Sequence, residues 1–164
     1  SKEHPQNSLI YDIKNEQPRL YHGPIYWNYG FIPQTWEDPQ HKQFNCGGDD
    51  DPLDIIEIGQ SILDRGSVHQ VKILGSLAMI DQGELDWKII AINTEDPHFE
   101  DIHDIHQVET FYPHTLSGIR EWFRWYKYPD KKKLNSFDLD EEFQDKQFSE
   151  NIIYETHLQW INRN

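Results

Sequence analysis

The sequence predicts an α+β fold, mainly β, and three observations carry that reading. Short runs rich in Ile, Val, Tyr and Trp, bounded by turn residues, fill its first half. Apolar residues at three- and four-residue spacing take over after Asn93. A length of 164 residues supplies one real core and too little chain for two comfortable ones, so residues 1–164 are expected to form a single domain. Strands first and helices later put flanking helices on a mostly antiparallel sheet or small barrel.

The strand candidates are Ile25 to Ile32, Leu53 to Ile58, Ser67 to Ile80 (one strand, or two joined near Gly75) and Asp86 to Asn93. Asp104 to Phe111 reads as a short helix stopped before Pro113. His114 to Lys127 places Leu116, Ile119, Phe123 and Tyr126 on one helical face, and a third helix from Ser149 onward does the same with Ile152, Ile153, Thr156 and Trp160. No internal repeat or low-complexity linker interrupts the chain.

Composition removes several function classes. A net charge of −14, from 29 acids against 15 Lys and Arg, disfavours a nucleic-acid partner, whose phosphates need neutralising cations. No run of about 18 apolar residues is present to span a membrane. The opening SKEHPQNS has neither a basic leader nor an apolar segment. Cys46 is the lone cysteine, which fits a reducing compartment and a cytoplasmic address. Six Trp, eight Tyr and eight Phe argue for a folded chain in spite of its low hydropathy.

In GGDDDPLDIIEIG, Asp49, Asp51 and Asp54 can converge because Pro52 bends the chain and holds Asp51 out of the helical region. Like charges that close are costly unless a cation or protons sit between them. Carboxylate-only ligands suit a hard ion such as Mg²⁺, Mn²⁺ or Ca²⁺, whereas an isolated acidic triplet is ordinarily a solvated turn. An EF-hand loop starting at Asp49 fails, because its sixth and twelfth positions are Asp54 and Gln60 rather than Gly and Glu. A D-x-D phosphotransferase is weak, since Asn45 to Gly48 reads as a loop and not a buried strand.

Downstream, MIDQGELDWKIIAI reads as a hairpin in which Asp81 and Asp86 bracket the connection Gln82 to Leu85 and face each other. Lys88 lies on the same strand face as Asp86, placed to balance the acids or hold a phosphate oxygen, or simply exposed at a polar hairpin tip. Arg19, Tyr29, Tyr126 and Lys127 add cationic and phenolic donors of the kind that phosphoryl transfer needs. His103 and His106 have helical spacing but no third ligand, and read as a solvated face. Lys131 to Lys133 reads as a solvated loop, and Cys46 has no recognisable base partner.

As a set, NYGFIPQTWEDP, GDDDPLDIIEIG, IDQGELDWKIIAI and REWFRWYKYPD closely resemble the soluble, Mg²⁺-dependent family I inorganic pyrophosphatases of eukaryotic type. The resemblance runs from Arg19 to Trp160. It implies a five-stranded OB-like barrel with flanking helices, hydrolysis of pyrophosphate to two orthophosphates, and Mg²⁺ as cofactor with Mn²⁺ as substitute. Pyrophosphate and phosphate are the implied ligands, and a homodimer the implied assembly. By position, Asp49, Asp54 and Asp86 match ligands of the tighter metal, with Asp54 also touching a second ion. Asp81 and Asp86 match ligands of metals that arrive with substrate. Asp51 matches the general base toward the nucleophilic water; Arg19, Tyr126 and Lys127 match phosphate-holding residues. Tyr29 matches an active-site tyrosine, Lys88 a lysine near metals and phosphate, and Asp50 nothing.

The family's upstream K-x-E motif and a further glutamate have no counterpart here, and the chain is short between Arg19 and Tyr29. The expectation is an N-terminally truncated chain lacking part of its first strands, with the metal cluster formed and turnover weakened. The alternative from another class is a catalytically silent barrel that binds metal, phosphate or a protein.

Overall fold

Consecutive apolar residues in the strand segments, as in SLAMI and IIAI, require the sheet to be covered on both faces, and it is. A computed structural model describes residues 13–14 and 16–163. In chain order the strands and helices are β1 (Ile13–Lys14), β2 (Gln17–Pro18), β3 (Asn28–Phe31), β4 (Lys42–Gln43), β5 (Cys46–Gly47), β6 (Asp54–Glu57), β7 (Val71–Asp81), β8 (Glu84–Asn93), α1 (Ile105–Phe111), α2 (Thr115–Trp125), β9 (Ser136–Phe137) and α3 (Lys146–Ile161). Five of these strands form one sheet in the order β3-β6-β8-β7-β9. The architecture is therefore α+β, mainly β, with flanking helices.

Three of the four ladders within this five-stranded sheet are antiparallel, as expected, but β6 runs parallel to β8. β8 inserts between β6 and β7, so the chain after β6 crosses over before it returns. The expected strand from Ile25 begins only at Asn28, and the one from Ser67 only at Val71. Ser67 instead closes a turn, its N–H and hydroxyl both donating to the Asp64 carbonyl.

β7 is one strand with a bulge. Ile73 faces Ala91 while Gly75 faces Ile90, so one residue of β7 is supernumerary. Its effect is legible in the packing. Ile73, Ala78 and Ile80 serve one core, and Leu74, Leu77 and Met79 the other, an assignment that strict alternation forbids. Glycine is required at the bulge by close approach, since a Cβ there would lie 2.5 Å from the Gln144 carbonyl oxygen and 2.7 Å from Ile105 Cβ.

The inner core joins Ile56, Ile58, Leu77, Met79, Ile90 and Ile92 of the sheet to Ile105, Val108, Ile119 and Phe123 of α1 and α2. On the opposite face, Leu53, Ala78, Leu85, Trp87 and Ile89 pack against Ile152 and Ile153 of α3. α3 starts at Lys146 rather than Ser149, because the Asp145 side chain caps it by accepting from the Phe148 N–H at 2.8 Å. Trp160, expected on its buried face, is 39 % exposed in the last turn. α2 ends at Trp125, and its C-cap Tyr126 is still helical in backbone, at φ −59° and ψ −31°. Trp27 packs into the inner core against Trp122 and Phe123.

A buried carboxylate fixes the strands that carry the site. Glu57 accepts from the Asn28 side chain at 2.6 Å, the Gly59 N–H at 2.7 Å, and both the N–H and side chain of Asn93 at 3.0 Å. One side chain thus ties β3, β6 and β8 together at the end remote from the acids.

Candidate active site

Along the inner face each central strand changes from apolar to charged toward the same end of the sheet. Ile58 and Ile56 give way to Asp54 on β6, Ile92 and Ile90 to Lys88 and Asp86 on β8, and Leu77 and Met79 to Asp81 on β7. Because β6 and β8 are parallel and β7 is antiparallel to β8, these charged ends coincide. Asp54 pairs in register with Lys88.

The hairpin differs from expectation. Its turn is two residues, Gln82 and Gly83, with φ of 54° and 94°, the double positive φ that a tight hairpin favours. Asp81 therefore pairs with Glu84, and Asp86 faces Met79 rather than Asp81. The two aspartates remain on one face but sit diagonally, which spares them the direct opposition of like charges.

Lys88 is the centre of the arrangement and is completely buried. Its ammonium donates to Asp54 Oδ2 at 2.5 Å, also to Asp86 Oδ1, and to the Tyr29 hydroxyl at 3.4 Å. The Phe123 ring lies 5.2 Å from it, a favourable cation–π distance. Burial works against its charge, but the Asp54 and Asp86 carboxylates outweigh burial and hold the ammonium well above the usual lysine range. The Tyr29 hydroxyl donates to the same Asp54 oxygen.

One site residue escaped the sequence reading. Glu37 is 3 % exposed, and its carboxylate comes together with those of Asp49 and Asp86, the ligand atoms all within 4.8 Å of one another. Its Oε1 accepts from the Trp87 N–H at 3.0 Å, while Oε2 is buried without a hydrogen-bond partner among the described residues. The backbone of Glu37 also holds the acidic turn, donating to the Asp51 carbonyl at 2.9 Å and accepting from the Asp50 N–H at 3.0 Å. Such contact requires glycine beside the turn, for a Cβ on Gly48 would lie 2.4 Å from the Glu37 carbonyl carbon.

Within that turn the aspartates separate by position. Asp49 Oδ1 accepts from the Asp51 N–H at 3.0 Å. Asp50, at φ 67°, accepts from the Trp36 indole at 2.8 Å, which makes it a structural tie. Asp51 is exposed.

Burial pushes the carboxyls of Asp49 up to about 6 and Asp86 up to about 8, and raises Glu37 well above the carboxylate range. One buried ammonium cannot neutralise Glu37, Asp49, Asp54 and Asp86 together, so without another cation protons take up the surplus charge. An orphaned buried oxygen, oxygen-only ligands and acids that need neutralising fit a hard divalent cation. A raised acid stabilises the fold fully below its unfolded value of about 4, and that contribution is lost as pH rises through the folded value. In chelator, the melting temperature is therefore expected to fall from pH 5 to pH 8, and excess divalent cation should flatten the trend. A melting temperature that is level or rising across that interval in chelator would contradict this assignment.

Asp81 behaves oppositely. Burial alone would raise it, but the Lys127 ammonium and the Tyr126 hydroxyl, the latter at 3.0 Å, outweigh burial and hold it below the usual range. Arg19 lies against Asp130, Nε to Oδ2 at 3.4 Å, three residues past Lys127. Tyr126 and Lys127 thus meet Asp81 at the β7 end of the site, Tyr29 and Lys88 stand with Asp54 and Asp86, and Arg19 pairs with Asp130 in the segment that follows Lys127.

Fold and site together define a class: an α+β protein that gathers carboxylates for hard cations beside cationic and phenolic donors suited to phosphate oxygens. Residues 8–161 match the family model described as inorganic pyrophosphatase, and the chain belongs to the inorganic pyrophosphatase family. It is 48 % identical over 165 residues to inorganic pyrophosphatase 2, mitochondrial, of Mus musculus, covering 96 % of this chain and 50 % of the relative. It is 50 % identical to the probable inorganic pyrophosphatase of Plasmodium falciparum, covering 94 % and 43 %. Among solved structures, the recombinant enzyme from T brucei brucei superposes with a TM-score of 0.90 at 45 % identity, covering 93 % of this chain and 45 % of that one. The N-terminal domain truncated vacuolar soluble pyrophosphatase of Trypanosoma cruzi, in complex with PPi, gives 0.93 at 45 % identity, covering 97 % and 61 %. The OB-like fold is shared with these structures. The chain spans about half the length of the curated relatives it matches. No helix among the described residues is long and apolar enough to cross a membrane.

Proposed function

We propose that this chain is an inorganic diphosphatase, hydrolysing pyrophosphate to two orthophosphates with Mg²⁺, or Mn²⁺ in its place, as one catalytic domain. The observation that carries the reading is the convergence of Glu37, Asp49 and Asp86 beside the Asp54–Lys88 pair in a member of this family. When bound, the cations lower the pKa of water and neutralise phosphate oxygens.

The chain's own residues do the rest. Asp49, Asp54 and Asp86, with Asp81, supply the ligands, and Lys88 and Tyr29 hold Asp54 in position. Asp51 accepts one proton from the attacking water, whose oxygen bonds to one phosphorus. The bond from that phosphorus to the bridging oxygen breaks, and its electron pair leaves with the second orthophosphate. Arg19, Tyr126 and Lys127 hold that leaving phosphate by hydrogen bonds and charge. Phosphate release from pyrophosphate by the purified chain, with Mg²⁺ and with chelator, tests the reading; a rate equal to buffer in both sinks it.

Homodimerisation, after the family, is part of the proposal and is read by light scattering. A cytoplasmic location is proposed from the lone, half-buried thiol of Cys46, and relatives with mitochondrial and chloroplastic names make fractionation the check.

A further inference from the structure

The loop that follows Lys127 carries Lys131, Lys132 and Lys133, a cationic run in a chain of net charge −14. It is held rather than trailing. At its start the Asp130 N–H donates to the Lys127 carbonyl at 3.0 Å, and Asp130 pairs with Arg19. At its end buried Asn135 donates its side chain to the Phe123 carbonyl at 3.0 Å and its N–H to the Arg124 carbonyl at 3.1 Å. In the middle, Lys132 Nζ donates to Gln82 Oε1 at 2.5 Å, at the tip of the hairpin whose preceding residue, Asp81, holds Lys127 and Tyr126. All three lysines are exposed. Among the described residues neither Lys131 nor Lys133 has an ion-pair partner.

We propose that Lys131, Lys132 and Lys133 form a cationic lip beside the phosphate-holding end of the site, which captures the condensed-phosphate anion from solution and raises its association rate. This rests on the pyrophosphate reading above. An anion approaching a strongly acidic protein is repelled, and uncommitted cations at the rim reverse that field locally, a device that raises association rates by about 10- to 1,000-fold in focused clefts. The lip is separate from the residues assigned to hold pyrophosphate, with Lys132 on Gln82 at the hairpin tip, so it acts on capture and leaves the chemical step alone. A run of lysines that merely solvates a loop would alter neither the rate nor its salt dependence.

The test compares the chain with a Lys131→Gln, Lys132→Gln, Lys133→Gln variant and a control of equal net charge, Lys42→Gln, Arg65→Gln, Lys146→Gln, with equal melting temperatures establishing that all three fold. At low ionic strength, where the Debye length is about 30 Å, the lip variant should lose about tenfold in kcat/KM for magnesium pyrophosphate, with kcat unchanged. At about 1 M salt, where that length is about 3 Å, the difference should vanish. A lip variant matching the control at low salt overturns the proposal, as does a loss that persists in high salt. If the chain binds pyrophosphate without hydrolysing it, the functional reading fails alone, and the same comparison is made on the association rate by stopped-flow tryptophan fluorescence. If it binds none, both fall.

Discussion

Replacing Lys88 with methionine is expected to cost about 3–5 kcal/mol of stability in chelator at pH 8, because it strands buried carboxylates without their counterion. Methionine keeps the volume of the lysine stem, so the loss reads charge and not packing. The cost should shrink toward pH 5, where protons replace the ammonium at Asp49 and Asp86, whose carboxyls burial raises to about 6 and about 8. It should shrink again in excess Mg²⁺, which supplies the missing positive charge. Urea denaturation of both proteins at the two pH values, with and without metal, measures all three effects. A cost below about 1 kcal/mol in chelator at pH 8, in the range of exposed pairs, would mean that Lys88 is not the counterion of this cluster.

The second large effect is on turnover. Asp51→Asn preserves shape and leaves intact the backbone bond from Glu37 to residue 51, but removes the proton acceptor. Loss of a positioned general base lowers the rate by about 10²–10⁴. Divalent-cation affinity should stay within a few-fold, since Asp49, Asp54 and Asp86 are untouched. Turnover that falls less than tenfold would assign proton acceptance elsewhere; loss of both turnover and metal affinity would make Asp51 a ligand. Calorimetric titration with Mg²⁺ beside the phosphate-release assay separates these outcomes.

What could be read from the sequence was what strand alternation and local turns determine. Asp86 and Lys88 on one face follow from a two-residue period, and the structure adds Asp54 opposite Lys88. That addition depends on a parallel pairing between strands separated by a whole intervening strand, which no local pattern encodes. The turn at Gln82 and Gly83 was legible in principle, since glycine in a two-residue connection is a hairpin signal, but the spacing of the aspartates suggested a longer loop. Asp145 was equally legible as a cap. Glu37 was not. In TWEDP it reads as one polar residue of a loop, and its burial follows from backbone bonds to Asp50 and Asp51 and from the Trp87 N–H, fifty positions away. Tyr126 is placed by helical spacing: it keeps helical backbone just past the end of α2 and lies in the inner core, and what the spacing leaves out is the contact of Tyr126 and Lys127 with Asp81.

The bulge in β7 has a consequence for how much the chain can be shortened. Removing Gly75 would restore strict alternation, with Ile73 and Ser76 still on the side of α3 and Leu74 and Leu77 still on the inner face. Every core side chain would keep its neighbours' face. What the deletion would take away is the bend, and with it the direction in which the last six residues of the strand carry Asp81 toward Tyr126 and Lys127. A protein one residue shorter at that point would keep its cores and lose its aim.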